Sequence, residues 1–259
     1  MINQDFTFNG ITSQSMGVSL VRQSGGIFGV PYVSSRNILE DYPTRALAPY
    51  FFRTQNQPLT FNLTFTCIDD DIDNTKLKAI ASWLFQGDYK PFISDDNTDK
   101  IYYIMATNQV DFMTNGLDKG YFDVTFRCKF PYAMTLESTP TYDSIYDYYQ
   151  VLPVTTFTLT NECNVFDTYS PTYQITVGET PTEVYIYNWE TEQSVEFDSL
   201  SAGEIIYVDN QKKIITSSLG GYQYDSFNKE WLYLVQGDNL LEVGGYCTLQ
   251  FSIQYPVWT

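Results

Sequence analysis

Histidine is absent from the 259 residues, and that gap removes a large part of enzyme chemistry. A Ser-His-Asp triad, a Cys-His pair and an HExxH metal site all need an imidazole that moves protons or binds a metal near neutral pH. Cations are scarce too: 14 Lys and Arg stand against 31 Asp and Glu, a formal net charge of −17. Affinity for a phosphate backbone comes from cationic contacts that release counterions, so specific DNA binding is not expected. The four cysteines, Cys67, Cys128, Cys163 and Cys247, form no CxxC pair, and no zinc site or redox dithiol is written in their spacing. No run approaches the ~18 apolar residues of a membrane span. The opening MINQDFTFNG has no basic stretch followed by an apolar one, and the first cation is Arg22. The expectation is a protein made in the cytoplasm that does not enter a membrane.

Two apparent ligand motifs also fail. Gly25, Gly26 and Gly29 do not open a helix, so they make no dinucleotide loop. Asp69, Asp71 and Asp73 imitate the start of a calcium loop, but Asn74 stands where the sharp turn needs Gly and Ile80 where the loop needs Glu. Acids placed at the positive end of a helix dipole explain them better. A glycosidase needs two carboxylates flanking a sugar, and no pair stands out among 31 acids. No catalytic residue, metal or cofactor is expected.

What the chain has in excess is aromatic surface in alternating strands. Tyr occurs 22 times and Phe 18 times, residues that suit a pleated, half-buried surface. In PLTFNLTFTC (58–67), Leu59, Phe61, Leu63, Phe65 and Cys67 point one way and the threonines and Asn62 the other. YFDVTFRCKF (121–130) and CTLQFSIQY (247–255) repeat the pattern. A period of two means a strand with one buried and one wet face, and puts Cys67, Cys128 and Cys247 inside as small hydrophobes. One stretch, 74–86, follows the helical period instead, with Leu77, Ile80, Ala81 and Leu84 on one face, Lys76 and Lys78 outside, Asp73 as cap and Gly87 as stop.

Charge divides the chain. Residues 1–134 carry 11 cations and 14 acids, a net of −3; residues 135–259 carry 3 and 17, a net of −14, and together these make −17. Two domains, 1–134 and 153–259, are expected, joined by a connector over 135–152 rich in Ser, Thr and Tyr. In the second, short strands at 154–160, 172–177, 183–189, 204–209, 212–216 and 246–255 alternate with turns at Gly203, Asp209-Asn210, Gly220-Gly221 and Gly237-Asp238-Asn239. Such spacing indicates a jelly-roll β-sandwich.

Two groups of residues are candidates for contact with something outside the chain. Ile27, Phe28, Tyr32, Ile38, Leu39, Tyr42, Tyr50 and Phe51 lie in a segment without clean alternation, as in an arm that buries its apolar residues against a neighbouring subunit. Tyr185, Tyr187 and Trp189 share one strand and suit either packing at an interface or a platform for a sugar ring.

Several segments resemble the siphophage distal tail protein (Dit) family: FTFNGITSQSMGVSLV (6–21), EDYPTRALAPYFFRTQNQPLTFNLTF (40–65), LKAIASWLFQGDYKPFISDDNTDKIYYIMATN (77–108) and FDVTFRCKFPYA (122–133), with SLSAGEIIYVDNQKKIIT (199–216) and LVQGDNLLEVGG (234–245) in the second half. At 42–45 the chain reads Tyr-Pro-Thr-Arg where many of these proteins have Pro-Gly-Arg. The resemblance implies a mostly β, two-domain chain: an N-terminal tail-tube-like β-sandwich with one helix and a C-terminal galectin-like jelly-roll. It implies a homohexameric ring in the virion, at the tail tip or baseplate, assembled in the host cytoplasm. The ring would join the tail tube and tape-measure protein to the tail-associated lysin or tail-tip protein, with DNA passing through. The alternative is a carbohydrate-binding adhesion module of a phage tail.

Overall fold

The computed structural model describes residues 3–21, 34–42, 48–67, 74–108, 111, 113–114, 120–144, 153–180, 182–221 and 223–258. The chain separates into two compact units, one of residues 1–135 with 257–259, the other of residues 136–256. Among the described residues there is one α-helix, and nearly all other regular structure is antiparallel strand. No described helix is long and apolar enough to cross a membrane.

In the first unit the period-two segments become the centre of the sheet. Strand Thr60–Cys67 pairs with Gly120–Cys128, Leu63 opposite Val124 and Phe65 opposite Phe122. From these the sheet extends through Val18–Val21 to Asn3–Gln4 on one side. On the other it runs through Asn97–Ala106, Lys90–Ser94 and Phe6–Phe8 to Ile11–Thr12. Its two ends are neighbours in sequence, so the sheet must curl until they approach each other. The enclosed core is aromatic: Phe6 lies 5.3 Å from Phe65, 5.3 Å from Phe92 and 5.6 Å from Trp83, and Phe65 stacks on Phe122 at 5.2 Å. Each fully buried ring of this kind stabilises the fold by ~1.5–3 kcal/mol.

The helix, Asn74–Leu84, buries Ile80, Trp83 and Leu84. Ala81, expected on the inner face, is exposed, and Trp83 takes that role; its indole N–H donates to the carbonyl of Phe8 at 3.0 Å. Gly87 is not left-handed and does not close the helix. The side-chain amide of Gln86 does so, donating to the carbonyls of Ser82 and Trp83 at 2.9 and 3.1 Å, which satisfies acceptors that no later turn reaches. The expected cap Asp73, the acids 69–71 and the glycines 25, 26 and 29 lie outside the described residues.

Two antiparallel sheets make the second unit. One has the order Thr141–Asp143, Cys247–Ser252, Thr172–Val177, Ile205–Asp209, Ile214–Ser217; the other has Val154–Asn161, Gly237–Gly244, Thr182–Asn188, Gln193–Leu200. Apolar residues from both meet between them, among them Ile175, Leu249 and Phe251 from the first and Ile186, Val195 and Val243 from the second. Part of the expected connector, Thr141–Asp143, is a strand of the first sheet, paired with Thr248–Gln250; residues 145–152 lie outside the described set. The turn expected at Gly237-Asp238-Asn239 is instead the start of a strand, with Gly237 opposite Asn161. Lys213 has a positive φ of 56°, so the strand expected from 212 begins at Ile214. The expected segments 154–160, 172–177, 183–189, 204–209 and 246–255 all contain strands.

Three buried amides hold the entry to the strand at 237. Asn161 Nδ2 donates to the carbonyls of Leu234 and Val235, Asn188 Nδ2 to the Tyr233 carbonyl and Asn239 Oδ1, and Asn239 Nδ2 to the carbonyls of Val235 and Gly237. An amide offers donors and an acceptor in one plane, so three of them can satisfy a kinked backbone that no ladder serves. All four cysteines are buried free thiols; burial pushes Cys128 and Cys247 up to about 12, which leaves them protonated and inert.

Candidate functional site

Among the described residues, two surfaces gather several aromatic side chains, one on each unit. On the first unit, Arg36–Asp41 and Tyr50–Asn56 form a two-stranded hairpin of their own. Its register runs from Arg36 opposite Asn56 to Asp41 opposite Tyr50, with an irregularity between Leu39 and Glu40 that leaves Phe52 as the extra residue. Nearly every residue in it is exposed. Ile38 and Phe51 are 61% and 63% exposed, and Leu39, Tyr42, Tyr50 and Phe52 also face out. Glu40 accepts from the Tyr42 hydroxyl at 2.8 Å, and the adjacent carboxylate raises the pKa of that phenol. Of the residues expected in the arm, the hairpin brings together Ile38, Leu39, Tyr42, Tyr50 and Phe51; Ile27, Phe28 and Tyr32 lie outside the described residues. No spacing in the sequence marks Phe52, because its exposure follows from the irregular register.

The second surface is a groove of about 510 Å³ on the four-stranded sheet of the second unit. The three residues expected as a ligand surface, Tyr185, Tyr187 and Trp189, all line it. Neighbouring strands bring Ser194, Glu196 and Asp198 from one side and Glu242 from the other, with Glu183 at the end of the row. Register explains the gathering: Tyr185 lies between Gly244 and Glu196, and Tyr187 between Glu242 and Ser194. These partners were invisible to sequence reasoning, which had no pairing to place them.

Geometry inside the groove is tightly specified. A Cβ at position 244 would fall within the ring of Tyr185, so only glycine lets that ring lie down across the sheet. The Tyr185 hydroxyl then donates to Glu242 Oε1 at 2.9 Å. Burial and the carboxylate together push its pKa up to about 12, so it stays a donor. Tyr187 and Trp189 pack edge to face, with centroids 4.9 Å apart at 83°, the arrangement that aromatic quadrupoles favour. Ser194 donates to Glu196 Oε1 at 2.6 Å. The lining holds four carboxylates and, among the described residues, no Lys or Arg. Such a site can stack a flat ligand and attract positive charge. Among the described residues no cluster of His, Cys, Asp and Glu is arranged to hold a metal ion.

Comparison with known proteins follows the same two-part division. The pattern of a phage tail protein N-terminal domain matches residues 1–129, and that of a phage tail C-terminal domain matches residues 142–253. The SPbeta prophage-derived protein YomH of Bacillus subtilis (strain 168) is 28% identical over 259 residues, covering 98% of this chain and 97% of YomH. Among solved structures, the Dit protein of phage SPP1 is similar with a TM-score of 0.67 at 11% identity, over 97% of this chain and 99% of that one. A chain of the phage P2 baseplate in its activated conformation is similar with a TM-score of 0.52 at 9% identity, over 99% of both chains.

Proposed function

Because the chain belongs to this family of phage tail proteins, we propose that it is the distal tail, or baseplate hub, protein of a phage tail: a structural virion component without catalysis or cofactor. Six copies close into a ring through their 1–134 domains, and the 153–259 domains take a galectin-like fold. The ring joins the tail tube and tape-measure protein on one side to the tail-associated lysin or tail-tip protein on the other, and DNA passes through its opening. Virions assemble in the host cytoplasm.

One observation carries this reading. The fold of SPP1 Dit, described as a paradigm of the hub adsorption apparatus in phages infecting Gram-positive bacteria, runs through 97% of this chain with no part of either protein left over beyond a few residues. The hairpin supports it physically. An isolated two-stranded hairpin is marginal in water, and one with Ile38, Tyr50, Phe51 and Phe52 exposed gains little from its own unit. Burial against a neighbouring copy supplies what it lacks. A patch that meets a different patch on the next copy makes a ring when the rotation closes.

Light scattering with negative-stain imaging tests the proposal. A closed ring of six copies, alone or after mixing with the phage's own tail-tip protein, is the expected result. A protein that remains monomeric at tens of micromolar in both conditions overturns it.

A further inference from the structure

The groove of the second unit is organised before any ligand arrives. Gly244 lets Tyr185 lie flat, and Glu242 fixes the end of that ring. Tyr187 and Trp189 hold each other edge to face. Ordering side chains is a principal cost of binding, and here it is met in the free protein.

Shape narrows the ligand. Residues 185 and 187 recur on one face of the strand Thr182–Asn188, about 6.6 Å apart along it, and Trp189 follows just past the strand's end, its ring centroid 4.9 Å from that of Tyr187. A volume of about 510 Å³ lies within the range of pockets that hold small molecules. The flat ring of Tyr185 and, a step along, the edge-to-face pair of Tyr187 and Trp189 give two stacking places, which suits a chain of linked sugar rings, each with an apolar C–H face. A single Lys or Arg side chain from a protein would occupy one step of the row and leave the rest open.

Charge narrows it further. Glu196, Asp198 and Glu242 border the aromatic row. Residues 135–259 hold only three cations, Lys212, Lys213 and Lys229, against 17 acids. A neutral sugar would leave these carboxylates without a counter-charge. An ammonium group would take charge-assisted hydrogen bonds from them and attraction from the ring faces. We propose that this groove binds a short amino-sugar oligosaccharide whose amines are free and protonated. The proposal stands on the second unit alone and does not depend on a ring.

Calorimetry on the full chain tests it, with glucosamine oligomers of two to four units as probes, their N-acetylated counterparts, and a lysine tetrapeptide. Glucosamine oligomers should bind, and the acetylated ones should bind at least about tenfold more weakly, the loss that follows removal of charge-assisted contacts. Tyr187→Ala should abolish binding. Glu196→Gln combined with Asp198→Asn should weaken it by at least about tenfold while acetylated oligomers are unaffected. The doubly neutralised variant should unfold at the wild-type temperature, since both side chains are exposed, and Tyr187→Ala, which also loses the ring contact with Trp189, should remain folded. Rising salt should weaken the interaction. Absence of binding by every glucosamine oligomer overturns the proposal, and so does equal affinity for the acetylated series. Tighter binding of the lysine peptide also overturns it, and would make the groove a protein-docking site.

Discussion

The hairpin of the first unit and the groove of the second both expose aromatic rings, yet they are held in opposite ways. In the hairpin, Tyr50, Phe51 and Phe52 stand on one of two strands that pair only with each other, and most of each ring is open to solvent. In the groove, Tyr185 is pressed onto the sheet by a missing side chain and tied by its hydroxyl, and Tyr187 leans on Trp189. Unsupported apolar area gains most from burial under a large apolar partner. A supported aromatic row, rimmed with charge, is suited to a small polar ligand because it need not rearrange. Exposure alone does not distinguish these surfaces; what lies beneath each ring does.

The sharpest way to break the comparison is to charge the hairpin. Ile38→Asp with Phe51→Asp should convert the proposed ring to monomers, since an obligate interface buries on the order of 2,000 Å² or more and cannot accept unpaired charge at its centre. Sedimentation velocity reads this directly. The unfolding temperature of the monomer should not change, because neither residue belongs to a core. Rings that survive the pair of substitutions would mean that the hairpin is not the contact.

Next in size is the inside of the same unit. Leu84→Ala on the helix should cost about 2–5 kcal/mol in denaturant unfolding, from lost transfer energy and the cavity left behind. A loss within ~0.5 kcal/mol would put that helix face in solvent. Gly244→Ala falls between core and surface. The added methyl must push Tyr185 off the sheet, an overpacking cost of about 1–3 kcal/mol, and should release the hydroxyl from Glu242. Chemical denaturation reports the first effect. A phenol pKa that falls from about 12 toward its ordinary value, followed by ultraviolet titration, reports the second.

The smallest effect belongs to neither surface. Burial of Asp209 works against its charge, but hydrogen bonds from the Lys212 ammonium at 2.8 Å and the Lys212 backbone N–H at 2.9 Å outweigh it and lower its pKa. A lowered folded pKa stabilises at pH above the unfolded value and is lost as pH falls through the folded one. The stability difference between wild type and Asp209→Asn should therefore be constant near neutrality and shrink below about pH 4. Lys212 is mostly exposed, so the whole difference should be slight.

How much of this was legible depended on whether a feature is local. Strands 58–67, 121–130 and 247–255 announce themselves, because a period of two needs no partner to be seen. The helix announced itself as well, but its inner face did not. Ala81 fits the apolar stripe by count, while Trp83 wins the position through its size and its bond to Phe8. Gly237 looks like a turn in isolation and is drawn into a strand by Asn161 opposite it. Tyr185, Tyr187 and Trp189 were visible as an alternating aromatic row. Glu196, Asp198 and Glu242, which give that row its chemistry, are 11 to 57 residues away from Tyr185 and meet it only through register. The hairpin residues stand out in the sequence because they lack a pattern; their pairing, 36 with 56 and 41 with 50, does not.

The contact between Tyr185 and the bare Cα of Gly244 also constrains how the protein can diverge. A methyl at position 244 cannot coexist with a ring lying over it, and the ring has no floor if the neighbouring backbone moves away. The two positions should be inherited as a unit: relatives that keep an aromatic at 185 should keep glycine at 244, and lineages that lose the ring should be free to accept a larger residue opposite. Substitution at 244 first is a dead end for the groove, whereas loss of the ring first is a permissive step, so this pair should record the order in which a relative abandoned the site.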